Sequence, residues 1–89
     1  MLSAETLALI TADIERLGVS ETTLAHLRAH HGGVHFTYCL DDDVGVRTPT
    51  HAGSGFNIYL VDGRDHCLKF TDDLEAATGL VLAEVIDDD

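Results

Sequence analysis

Eighty-nine residues make one small domain, 45% apolar, with sixteen acids against five bases and a formal net charge of −11 when the six histidines are neutral. Such a charge repels nucleic acid and anionic membrane, which leaves a basic protein, a metal cation or plain solubility as its meaning. Two cysteines do not make a disulfide framework, MLSAETLALI lacks the basic start of a secretory signal, and the longest apolar runs, such as Leu80–Ala83, are too short to span a bilayer. A cytoplasmic protein with reduced thiols is therefore expected.

Ser3 is placed to cap a first helix, with Glu5 in the first turn, Leu7, Ile10, Ile14 and Leu17 at helical spacing, and Gly18 as the stop. Leu2 and Leu9 fall on the opposite side of that helix, facing outward. Ser20 caps a second helix in which Leu24, Leu27 and His31 share the core face, while His26 and His30 lie on a more polar one; Gly32-Gly33 ends it. The two helices, joined through Gly18-Val19-Ser20, form an αα-hairpin.

From Val34 the period becomes two. Val34, Phe36, Tyr38 and Leu40 alternate with His35, Thr37, Cys39 and Asp41, as in a half-buried strand ended by Asp41-Asp42-Asp43. Residues 44–54 read as a long loop. Phe56–Val61 is a second strand, Asp62-Gly63-Arg64-Asp65 a hairpin turn, and His66–Phe70 a third strand. Thr71 then caps a short third helix closed by Gly79; Leu80–Ile86 suits either a continuation of that helix kinked at Gly79 or a buried strand, and its β-branched, doubly apolar character favours the strand. The fold class expected is α+β: a two-layer sandwich, α-α-β-β-β-α-β, with the helices on one face of a mainly antiparallel four-stranded sheet. Residues 1–86 form the domain and 87–89 an acidic tail.

Residues able to do chemistry crowd between His26 and Asp43. His26 and His30, at i and i+4, can clamp one ion from one helix face. His35, Cys39, His66 and Cys67 offer two nitrogens and two sulfurs, but neighbours in a strand point to opposite faces, so His66 and Cys67 cannot both join the first pair without a bulge. A transient site for a transition metal such as zinc is therefore drawn from His30, His31, His35, Cys39 and His66. A thiolate enzyme needs a histidine beside Cys39 or Cys67 and an oxyanion site, and no local signature supplies them. The aspartate triplet lacks the alternating order of a calcium loop. No catalytic residue and no cofactor is assigned.

The runs HHGGVHFTYCLDDDV (30–44), FNIYLVDGRDHC (56–67) and DLEAATGLVLAEV (73–85) resemble a small family of uncharacterised bacterial proteins of unknown function. The resemblance implies a bacterial cytosolic accessory protein and carries over no activity, cofactor or catalytic residue. The leading expectation is thus a non-enzymatic interaction domain, monomeric or homodimeric. It meets a basic protein through Asp41, Asp42, Asp43, His26 and His30, on the 41–55 loop and the exposed side of the second helix. Metal delivery is the alternative, and a small thiol enzyme the third reading.

Overall fold

The computed structural model describes residues 2–45, 48–65 and 67–86, with the main chain alone at Arg64, Asp65, Cys67 and Leu68. Helix α1 spans Ala4–Leu17 and α2 spans Glu21–His30. Ser3 Oγ accepts from the Thr6 N–H at 3.0 Å, and Ser20 Oγ accepts from the Thr23 N–H at 3.2 Å, so both helices start where a side-chain oxygen satisfies an orphan amide. Gly18 ends α1 with φ +83°, a conformation that costs a Cβ-bearing residue strain, and its N–H donates to the Ile14 carbonyl. The buried Thr23 hydroxyl donates to the Gly18 carbonyl at 2.6 Å and so locks the joint between the helices.

The inward stripe is shorter than the periodicity suggests. Ile10 and Ile14 are fully buried, but Leu17 lies in the exposed last turn. Leu9 faces outward as expected. Leu2 does not: it precedes the helix, bonds to the Leu74 carbonyl through its N–H and is buried in the core. Helical phase does not apply to a residue outside the helix.

Among the described residues five strands follow: β1 (His35–Leu40), β2 (His51–Ala52), β3 (Phe56–Asp65), β4 (Cys67–Thr71) and β5 (Gly79–Glu84). They form one mixed sheet rather than four antiparallel strands. Its order is β1-β5-β3-β2, with β4 also on β3, and β1 runs parallel to β5. The apolar alternation of β5 places Leu80 and Leu82 on one face and Val81 and Ala83 on the other, all buried, which is the pattern of a strand flanked on both sides and covered on both faces. β2 is too short for any periodicity to reveal.

Two further expectations are corrected. Asp62–Asp65 is not the hairpin turn: these residues continue β3, with a register irregularity between Asp62 and Asp65, and Asp65 already faces Cys67. His66 lies outside the described residues, as do Asp87–Asp89. The third helix is replaced by a single turn at 74–76. The Asp73 carboxylate accepts from the Glu75 N–H at 3.0 Å, and the Asp73 carbonyl accepts from Ala76 and Ala77. Side-chain bonding of this kind competes with helix elongation. The chain must also be extended by Gly79, where a Cβ would lie 2.4 Å from the His35 carbonyl oxygen, so no room remains for a second turn.

The helices cover one face of the sheet. Ile10, Ile14, Leu24 and Leu27 pack there on Phe36, Phe56, Ile58, Leu60, Leu80 and Leu82, each side chain worth roughly 1.5–3 kcal/mol of burial. On the other face Tyr59, Val61, Val81 and Ala83 are buried with Cys39 and Val44 against them, so the chain after β1 folds back as a partial third layer. Among the described residues no helix is long and apolar enough to cross a membrane.

Candidate interaction surface

β1 closes one side of the sheet. In a parallel pair every second residue turns both its N–H and C=O to the neighbouring strand. The His35 N–H donates to the Thr78 carbonyl, so His35, Thr37 and Cys39 bond toward β5, and Phe36, Tyr38 and Leu40 turn their main-chain groups outward. Arg28 of α2 reaches over this edge and donates from Nη2 to the Phe36 carbonyl at 3.1 Å. Among the described residues nothing bonds the outward amides of Tyr38 and Leu40.

Between α2 and β1 the surface sinks into an open groove of about 860 Å³, with Val19, Leu24 and Phe36 inside and Glu21, Arg28 and Glu84 at its rim. It exists because the apolar side of β1 outruns the helix that covers it. Phe36 is buried under α2, while Tyr38 and Leu40 on the same face remain exposed. The Tyr38 hydroxyl donates to Glu84 Oε1, and that bond to a carboxylate, with burial second, pushes the phenol above its ordinary ionisation range. Val85 and Ile86 extend the exposed apolar strip past the end of β5, and Leu40, Asp41, Asp42 and Glu84 border the adjoining crevice.

The aspartates after β1 form one 3₁₀ turn, Asp41–Asp43, and are not equivalent. Asp41 Oδ1 accepts from Asn57 Nδ2 at 2.9 Å and from the Tyr59 hydroxyl at 2.8 Å, so it fastens the turn to the sheet. Asp42 and Asp43 stay exposed. Burial, then the Asp43 and Asp41 carboxylates, push the Cys39 thiol up. An activated nucleophile needs the opposite shift.

The described histidines do not gather as the sequence crowding suggests. The His26 and His30 rings lie with centroids 4.2 Å apart, tilted by 48°, and His26 Nε2 lies 3.6 Å from Asp13 of α1, on the side of α2 turned away from the groove. Asp13 also accepts from Arg16, and that bond first, with His26 adding, holds its carboxyl below the usual range. His31 ends α2, half-buried, with its ring 6.4 Å from that of Phe36. His35 and Cys39 are on the opposite face of the sheet from Phe36. His66 and the side chain of Cys67 lie outside the described residues. Among the described residues no three His, Cys, Asp or Glu side chains come close enough to hold one ion.

Sequence reasoning missed Glu21, Arg28, Tyr38 and Glu84 as surface determinants. The one available signal was Leu40 and Tyr38 standing in an apolar alternation beyond the reach of a ten-residue helix. A mixed sheet with an αα-hairpin on one face and an open edge beside it defines a small α+β domain. The chain belongs to the family of unknown function DUF6129, whose model matches residues 11–85. No curated protein and no solved structure shows significant similarity to it.

Proposed function

We propose that this chain is a non-enzymatic interaction domain that takes a basic region of another protein at the β1 end of its sheet. The observation that carries the reading is the exposed strip Tyr38, Leu40, Val85 and Ile86, bordered by Glu84 and Asp42. Apolar area left in the open and framed by charge of one sign is the pattern of a protein contact. The net charge of −11 speeds encounter with a cationic partner and repels an anionic one. The acids supply attraction and the apolar strip the area that leaves water. This reading makes the protein an accessory to another cytosolic component.

Fluorescence anisotropy with basic, neutral and acidic peptides of equal length tests it. Basic peptides bind, and affinity falls as salt shortens the screening length to about 8 Å near physiological strength. Asp42→Asn, Asp43→Asn and Glu84→Gln weaken binding, whereas Glu5→Gln, on the far helix, does not. Equal binding of the acidic peptides at every salt concentration refutes the reading.

A further inference from the structure

We propose that the open edge of β1 receives an extended segment of the basic partner as an added strand, whose alternate side chains enter the groove beneath α2. This rests on the interaction reading above and specifies its mode. Three independent features converge. Tyr38 and Leu40 present outward main-chain groups in strand geometry. The groove lies on the helix side of the same edge, so every second residue of an added strand points at Leu24 and Phe36. The charge is one-sided among the described residues: Glu21 and Glu84 line the groove and Asp42 the adjoining crevice, against the guanidinium of Arg28.

The occupant is therefore a segment alternating cationic and apolar residues. Its apolar side chains fill the groove, and its cations, turned to the other face, meet Asp43 beside Cys39 where β1 ends. A second copy of this chain offers the same edge but brings another −11 of charge to the contact, which disfavours it. Arg28 marks the limit of the site. Its guanidinium already occupies the Phe36 carbonyl, so pairing starts at Tyr38. Exposed edges attract strands generally, and native proteins blunt them with charge or cover. Here the cover stops at Phe36.

The probe is a short synthetic peptide alternating lysine with valine, together with the same peptide N-methylated on alternate residues so that it keeps its charges but loses its strand donors. Binding of the plain peptide slows amide exchange at Tyr38 and Leu40 and leaves Thr37 and Cys39, already in the ladder, unchanged. The N-methylated form binds about ten-fold more weakly, the loss expected for one or two main-chain hydrogen bonds. Leu40→Pro gives the same result from the protein side. The Leu40 φ of −85° is close to what proline requires, and the N–H removed does not bond β5, so the fold survives. Equal affinity of the two peptides overturns strand addition while leaving the interaction reading standing. Failure of both peptides to bind overturns the two together. Self-association that slows Tyr38 and Leu40 exchange without peptide assigns the edge to a second copy and overturns the proposed occupant.

Discussion

Removing one hydroxyl tests whether the turn after β1 is held by the sheet. In Tyr59→Phe the ring stays buried, and only the 2.8 Å bond to Asp41 Oδ1 is lost. A hydrogen bond to a charged acceptor contributes about 1.5–3 kcal/mol. Asp41 is half-buried and retains Asn57 at 2.9 Å, so the low end applies, about 1.5 kcal/mol. For a domain of this size that lowers the thermal midpoint by roughly 6–12 °C. Urea denaturation followed by circular dichroism measures the loss, and Asp41→Ala with the double variant completes the cycle. The two single losses should overlap by about 1 kcal/mol, because each removes the same bond. The sign with pH is fixed as well. Burial first, and then the Asp41 bond, raise the Tyr59 phenol above the ordinary 10.0. The neutral form is thus favoured by folding, and its contribution is fully present below the ordinary value and lost as pH rises through the folded one. Tyr59→Phe removes part of that alkaline loss, and Tyr38, raised by Glu84, and Cys39, raised by burial, retain further parts of it. A Tyr59→Phe protein as stable as the parent, or losses that simply add, would refute the coupling.

Gly79→Ala forces a Cβ to within 2.4 Å of the His35 carbonyl oxygen, and overpacking of that kind costs about 1–3 kcal/mol. Amide exchange should speed up along His35–Leu40 before it does in β3. Cys39, its thiol pushed up by burial and by Asp43 and Asp41, should alkylate at mildly alkaline pH more slowly than in the unfolded chain, with mass spectrometry locating the label. Asp43→Asn should speed that reaction; a Cys39 that reacts faster folded than unfolded contradicts the geometry. Zinc titration should show weak binding that His30→Ala abolishes and Cys39→Ser leaves unchanged, because the close imidazole pair among the described residues is His26 and His30. Loss of zinc binding in Cys39→Ser would instead restore the mixed sulfur and nitrogen site.

The helices and the central strand were legible because their signals are local. Ser3 and Ser20 cap their own helices, and Leu80–Ala83 is apolar on both faces in any context. What failed depended on distant partners. Nothing near Val34–Leu40 in sequence says that it pairs with Gly79–Glu84, and parallel pairing leaves no turn signature. Asp73 could begin a helix or close a turn, and the position of His35 beside Gly79 decided for the turn. The candidate surface was hidden for the same reason. Tyr38 and Leu40 read as core by alternation, and only the length of α2 relative to β1 shows them uncovered. Crowding along the chain between His26 and Asp43 was a poor guide, because a helix, a reversal and a strand send those side chains to different sides of the molecule.

Among the described residues β5 alone pairs with both β1 and β3, and it leaves a ribosome after the other four strands. Before it emerges, β1 has nothing to pair with, and β3 holds only its short outer neighbours. The nascent chain therefore carries a half-finished layer with bare apolar side chains until synthesis reaches Gly79. Assembly then happens in one late step governed by contacts remote in sequence, which makes it slow for so short a polypeptide. Shortening the protein by that single segment removes the keystone of the sheet rather than trimming an edge.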